Sequence, residues 1–349
     1  MQKVPVAIVG ASGYAGAELV RLCAGHPRIA IAGLYAHRHA GEKIADHFPQ
    51  FAGVAGLVEG AYRAYDPDAI AAEAKVVFLA LPHGESAKVA KELYARGLRV
   101  LDLSADFRLR SQAEHEAWYG PHGAPELIAV SRYGLVERHR EELKGARLIA
   151  VPGCYPTAAL LALAPLLAAR LISPDGLIVD AKSGVSGAGR SPSLATHFAE
   201  AGEGVRAYKV AEHRHTPEIE EELGRAAGRE VRLTFTPHLL PMSRGILATC
   251  YAAPTDENRE RADYLAALRE AYAREPFVAV VDRPPDTAFV RGSNRVQVSV
   301  WIDRRAHRVI AVGAIDNLVK GAAGQALQCL NVAEGWPETD GLAGAGVFP

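Results

Sequence analysis

The stretch VPVAIV (4–9), Gly10-Ala11-Ser12-Gly13-Tyr14-Ala15-Gly16 and AELVRLCAG (17–25) sets the class of the whole molecule. A short apolar run, a glycine turn and a segment with helical apolar spacing read as a buried strand that enters a helix. Glycines at such a junction permit a tight turn and close backbone approach to a phosphate. The helix N-terminus behind them offers unsatisfied N–H groups and positive potential. A purely structural turn is the competing reading. The position right after an N-terminal strand favours a dinucleotide cradle. The spacing is GxxGxxG, without the GK[ST] ending of a nucleoside-triphosphate loop.

The same alternation continues outward. Ile29–Ala36, KVVFLAL (75–81), RVLDL (99–103) and ARLIAV (146–151) read as strands, and Glu85–Arg96 as a helix between two of them. Strands alternating with helices predict a parallel sheet with right-handed crossovers. Beyond residue 152 the pattern changes. A long apolar helix, AALLALAPLLAARL (158–171), is followed by LIVDAK (177–182), a Gly/Ser-rich loop (183–193), HRHTPEIEEEL (213–223), VRLTFT (231–236) and GILATCYAA (245–253). A polar helix over Asp256–Arg274 precedes FVAVV (277–281). The runs RVQVSVWID (295–303) and RVIAVGAID (308–316) read as an antiparallel hairpin around Arg304–His307. The expected fold is α/β. A parallel-sheet nucleotide domain spans 1–152, an α+β domain with a mixed or antiparallel sheet spans 153–316, and a final helix within 317–349 packs back on the first. The charged runs ERHREELK (137–144) and EIEEEL (218–223) are expected to form solvated helix faces.

Composition excludes several classes. The 349 residues hold 39 Lys+Arg against 40 Asp+Glu, a net charge of -1, which argues against a general nucleic-acid binder. Hydrophobic residues at 49% exclude a disordered chain. Cys23, Cys154, Cys250 and Cys329 are widely spaced with no CxxC, so neither a disulfide framework nor a cysteine-rich zinc site is expected. Met1-Gln2-Lys3 leads straight into the first strand, with no secretory leader. The longest apolar stretch is shorter than the roughly 17–25 residues that span a bilayer. A soluble, cytoplasmic protein without membrane or nucleic-acid partners is expected.

Three positions carry candidate chemistry. The second strand ends in Tyr35-Ala36-His37-Arg38-His39, without the carboxylate that holds a ribose 2′-OH, so Arg38 is a candidate partner for a 2′-phosphate and NADP is favoured over NAD. An ordinary surface arginine is the alternative. Cys154, in Pro152-Gly153-Cys154-Tyr155-Pro156-Thr157, lies where a strand meets a helix. The positive helix end there favours a thiolate, and the N–H groups of Cys154 and Tyr155 suit an oxyanion. The other three cysteines fall inside periodic elements and are expected to be packed thiols. In His213-Arg214-His215-Thr216-Pro217, Thr216 reads as an N-cap and Pro217 as the first helical residue. A neutral histidine before that helix suits acid–base work. The HxH pair lacks a third ligand at a recognisable spacing, and no metal is expected. Arg108, after the strand end at Asp102-Leu103-Ser104-Ala105-Asp106, is a candidate for an anionic substrate group. The loop Ser183–Arg190 reads equally as an anion-binding turn or a plain surface loop. Asn317 reads as a helix cap, with a nicotinamide amide as the other option.

Together, GASGYAG (10–16), LDLSADFRL (101–109), VPGCYPTAALLAL (151–163), KSGVSGAGRSPS (182–193), HRHTPEIEEEL (213–223), PHLLPMSRGIL (237–247) and AIDNLVKGAAGQALQ (314–328) resemble the N-acetyl-γ-glutamyl-phosphate reductase family, semialdehyde-forming enzymes of arginine biosynthesis. The resemblance implies a Rossmann-type NADP domain and a catalytic domain like those of glyceraldehyde-3-phosphate and aspartate-semialdehyde dehydrogenases. It implies Cys154 as nucleophile and His215 as acid/base. It implies cofactor contacts from Gly10, Ser12, Gly13, Tyr14, Ala15, Ala36, His37, Arg38, Ser183, Gly184 and Asn317, and a homo-oligomer, dimer or tetramer. Arg108 and Arg214 are assigned to the acyl-phosphate substrate. PGCYPT separates the chain from the related reductase of carrier-protein-linked 2-aminoadipate phosphate, whose cysteine region reads more like GAGCNAT. A non-catalytic NADP-binding redox sensor is the reading from another class.

Overall fold

The computed structural model describes residues 3–54 and 61–348. Met1, Gln2 and Pro349, at the ends of the expected domains, lie outside the described residues. The chain forms two compact units: Met1–Pro152 with Ala322–Ala343, and Gly153–Gly321 with Gly344–Pro349.

In the first unit, β1 (Val4–Val9) leads into α1 (Tyr14–Ala24) and returns as β2 (Ile29–Tyr35). Two short helices follow, α2 (Ile44–His47) and α3 (Pro67–Glu73). The Asp66 side chain caps α3 by accepting from the N–H groups of Asp68 and Ala69. Then come β3 (Val76–Leu79), α4 (Glu85–Ala95), β4 (Arg99–Asp102), α5 (Gln112–Tyr119), β5 (Arg132–Tyr133), α6 (Val136–Leu143) and β6 (Leu148–Ala150). The six strands run in the order β2-β1-β3-β4-β6-β5, and every pairing is parallel. All four residues of β3 are buried, which explains an apolar run without alternation: a parallel sheet hides both faces.

The second unit is built on α7 (Cys154–Ala168), apolar on every side and buried along nearly its whole length. Along the chain follow β7 (Leu177–Gly184), α8 (Phe198–Ala201), β8 (Arg206–Ala207), α9 (Thr216–Ala227), β9 (Leu233–Leu240), β10 (Ile246–Ala252), α10 (Arg261–Ala271), β11 (Val278–Val280), β12 (Val296–Asp303) and β13 (Arg308–Ile315). The sheet order is β11-β12-β13-β10-β7-β9-β8. It is mixed: β7/β9 and β11/β12 are parallel, the others antiparallel. The expected mixed sheet and the β12–β13 hairpin are both present. Burial alternates along β10, and α7 packs on β10 and β13, so one sheet face is core. On the other face Ile178, Tyr251, Ile310 and Trp301 pair strand to strand in one half-exposed apolar row.

Three readings are corrected. Ser183 and Gly184 are the last residues of β7 rather than loop; the 3₁₀ turn Val185–Ala188 begins after them. The acidic run 218–223 is not a solvated face. Glu218, Glu220 and Glu222 are buried, because each finds a donor: the Gly153 N–H, the Leu233 N–H with Arg232, and Arg225. The final segment is helical for only part of its length. A π-turn over Val319–Ala323 opens α11 (Gly324–Ala333), which packs on α1 and α6 of the first unit. Gly335, at φ +67, then turns the chain away, and Gly344–Pro349 belongs with the second unit. No helix among the described residues is long and apolar enough to cross a membrane.

Candidate active site

The β1–α1 turn has the close backbone packing expected of a phosphate cradle. Gly10 sits at φ +87, and a Cβ there would lie 2.2 Å from the Ala80 carbonyl oxygen. A Cβ on Gly16 would lie 2.2 Å from the Gly10 oxygen. Only glycine fits either place. Gly13 is the N-cap of α1 and supplies no side chain to the helix end, and no acidic residue occupies the first turn. The N-terminal N–H groups therefore keep their positive field. Ser12, Gly13 and Ala15 are half-buried around this end and Tyr14 is exposed. At the end of β2, Ala36 is buried, while His37 and Arg38 are exposed on the 3₁₀ turn His37–His39. A helix N-terminus with no acidic side chain in its first turn, and the exposed Arg38 at the end of β2, suit a phosphorylated dinucleotide such as NADP.

In the second unit, Cys154 is the first residue of α7 and Gly153 its N-cap. The Gly153 N–H donates to Glu218 at 2.8 Å, and its carbonyl accepts both the Thr157 N–H and the Thr157 hydroxyl at 2.9 Å. The turn before the cysteine is thus held at both ends. Cys154 is partly exposed, whereas Cys23 and Cys250 are fully buried with their thiols pushed up to about 12 by burial. Cys329 is buried too and donates to the Gly134 carbonyl. The three expected packed thiols are therefore inside, and the remaining one heads a helix. Gly321, in the π-turn, lies against Cys154; a Cβ there would approach the Cys154 Cβ to 2.8 Å.

An aromatic group surrounds this helix start. The Tyr155 ring lies 6.0 Å from His215, 5.6 Å from His213 and 5.3 Å from Phe235. The two histidine rings are 4.9 Å apart. The Tyr208 hydroxyl donates to the Tyr155 hydroxyl at 3.1 Å, and that of Tyr155 to the His238 carbonyl at 3.2 Å. Burial raises both phenols well above the usual range, and a negative Cys154 raises them further, so both stay protonated. His213 Nδ1 accepts the His215 N–H at 3.1 Å. Burial first, then Lys209 and Arg214, pushes His213 down to about 4. It is neutral at pH 7 and sets the backbone of His215. His215, not Thr216, is the N-cap of α9; Thr216 and Pro217 occupy its first turn. The HRH turn takes helical backbone angles one residue earlier than a Thr cap would need.

Asn317 does not cap a helix with its side chain. Asp316 takes that role, accepting from the N–H groups of Leu318 and Val319 at 2.8 and 3.0 Å. The Asn317 amide instead accepts the Gly245 N–H at 2.7 Å and donates to Ser186 at 3.0 Å, bracing the turn after β7. Ser183 is buried beside Tyr155, and a hydrogen bond between them counteracts part of the phenol's upward shift. Arg108 is buried in the first unit and donates to the carbonyls of Val151 and Leu103, both at 2.8 Å. Arg214 is exposed beside His213. Sequence reading passed over the side chains of Glu218, Tyr155, Tyr208 and Asp316. The signal for Glu218 was present as the acid in the first turn of α9, but its partner is distant along the chain.

Residues 5–146 match the family model described as semialdehyde dehydrogenase, NAD binding domain, and residues 154–317 the model described as semialdehyde dehydrogenase, dimerisation domain. N-acetyl-gamma-glutamyl-phosphate reductase of Desulforudis audaxviator is 49% identical over 349 residues, covering 99% of this chain and 100% of that protein. The protein of the same name from Rhodospirillum rubrum is 50% identical over 355 residues, covering 100% and 99%. Among solved structures, aspartate semialdehyde dehydrogenase II complexed with ASA from Vibrio cholerae matches with a TM-score of 0.71 at 17% identity, over 95% of this chain and 98% of that one; the likeness is one of fold.

Proposed function

The chain belongs to the N-acetyl-gamma-glutamyl-phosphate reductase family, and from that premise we propose that it reduces N-acetyl-L-glutamyl 5-phosphate to N-acetyl-L-glutamate 5-semialdehyde with release of phosphate. The observation that carries this reading is Cys154 at the head of α7, its turn anchored by Glu218 and flanked by Tyr155 and His215.

A thiolate at this helix end attacks the acyl carbon. A C–S bond forms, the C–O bond to phosphate breaks, and phosphate leaves with the bonding pair. The N–H groups of the α7 N-terminus stabilise the oxyanion in between. The acyl group stays activated as a thioester on Cys154. The cofactor, NADPH, supplies the hydride when bound. Gly10, Ser12, Gly13, Tyr14 and Ala15 would hold its phosphates, and Ala36, His37 and Arg38 would take the 2′-phosphate end. Ser183, Gly184 and Asn317 are the further residues that the family resemblance implies would contact it. His215 gives a proton to the substrate oxygen as that oxygen gains charge. It takes the proton back as the C–S bond breaks and the aldehyde leaves. Arg108 and Arg214 are assigned to the anionic ends of the substrate. The half-exposed apolar row on the second sheet is the face through which two copies associate.

The test is the reverse reaction, followed by NADPH absorbance with N-acetylglutamate semialdehyde, NADP and phosphate. Turnover supports the reading. Turnover only with another acyl group, including 2-aminoadipate semialdehyde on its carrier protein, moves the substrate. Cofactor binding without turnover on any semialdehyde would favour a redox sensor.

A further inference from the structure

On the turn after β2, apart from the catalytic cluster, two imidazoles and a carboxylate converge. We propose that His39, Glu42 and His47 bind one divalent transition-metal ion of the zinc class. One ligand atom from each lies within 4.8 Å of the other two. His47 Nε2 and His39 Nδ1 both face the Glu42 carboxylate, the latter at 3.4 Å, and the two rings are 4.3 Å apart at 61°. Two imidazole nitrogens and one carboxylate oxygen are a donor set that zinc takes, with a water completing four ligands.

The convergence is built by the backbone. His39 ends a 3₁₀ turn, Gly41 reverses the chain at φ +90, and His47 sits on the one turn of α2. The reversal is pinned from outside. The Gly41 N–H donates to the Tyr62 carbonyl at 2.8 Å, the Tyr62 N–H to the Glu42 carbonyl at 2.9 Å, and Lys43 pairs with Ala61. The buried Tyr62 ring lies 5.6 Å from His47 and 6.4 Å from His39, giving both imidazoles a common wall. The spacing H-x2-E-x4-H is short enough for a single loop to supply the whole set.

The cysteine and the HRH turn offer rival metal ligands, so the experiment uses the full-length Cys154→Ala chain stripped of metal. It is titrated with Co²⁺ and then with competing Zn²⁺. One Co²⁺ should bind, with weak visible absorption and no thiolate charge-transfer band, and Zn²⁺ should displace it. Glu42→Gln and the pair His39→Asn/His47→Asn should each weaken binding at least about tenfold, the lower end of what loss of even a supporting contact costs a metal site. Unchanged melting temperatures would show that these variants fold. Absence of Co²⁺ and Zn²⁺ binding would overturn the proposal. So would binding of unchanged strength in both variants, or binding lost instead on His213→Asn. None of these readouts depends on the proposed reaction.

Discussion

The Glu218 carboxylate accepts the Gly153 N–H at 2.8 Å, tying the first turn of α9 to the residue before Cys154. One buried bond thus links the helix that His215 caps with the helix that Cys154 begins. Glu218→Ala leaves a buried N–H unpaired, a loss of about 1–3 kcal/mol. The expected outcome is a fall in kcat larger than any rise in KM, with a lower melting temperature. Glu218→Gln, whose amide oxygen still accepts, should recover most of kcat. If Gln behaves like Ala, the bond does not position the nucleophile.

Cys154→Ser should abolish turnover while NADPH binding, followed by fluorescence, persists. The same position should dominate chemical labelling. Burial pushes the thiols of Cys23 and Cys250 up to about 12, so at pH 8 they are protonated and enclosed. Iodoacetamide followed by peptide mapping should modify Cys154 first, and NADPH-dependent activity should fall in step. Early modification of Cys23 or Cys250 would contradict this account.

His215→Asn should lower kcat by about 10²–10⁴-fold, the ordinary contribution of general acid–base catalysis. The pH–rate profile should lose its limb at the histidine ionisation. A profile that keeps both limbs would assign the proton transfer to another group.

His213 predicts acid sensitivity of the fold. Its ordinary value of 6.5 is pushed down to about 4 by burial, then by Lys209 and Arg214. The folded form prefers the neutral ring, while the unfolded chain takes up the proton below 6.5. The contribution is therefore complete above pH 6.5 and is lost as pH falls toward 4. The shift corresponds to roughly 3 kcal/mol. Thermal melts between pH 7 and about 4.5 should show a flatter slope for His213→Asn than for the parent. Some slope should remain, because burial also pushes His26 and His122 down. Equal slopes would mean that the ring is not shielded.

The apolar row Ile178–Tyr251–Ile310–Trp301 predicts where copies meet. Tyr251→Glu combined with Ile178→Glu should shift the sedimentation coefficient toward a single chain with the melting temperature little changed. An unchanged assembly would place the contact elsewhere.

Much of the fold was legible because its signals are local. The run into Gly10–Gly16 announces a strand, a turn and a helix within a few residues, and 295–316 announces a hairpin. PGCYPT placed Cys154 at a helix start from proline and glycine chemistry alone. The shorter elements α2, α3, α5 and β5 gave too few periodic apolar residues to be read. Reading EIEEEL as solvated failed because charge density says nothing about which distant donors await each carboxylate.

Order along the chain, backbone propensity and the placement of Cys154 at a helix start were legible in the sequence, since each depends on neighbours within a few residues. The pairing of Glu218 with Gly153 was not, because its partners lie 65 residues apart. Nor were the bracing of Asn317 between Gly245 and Ser186, or the depressed His213. Burial and hydrogen-bond partnership are properties of packed surfaces, and they set the charge and position of a side chain only after distant segments meet.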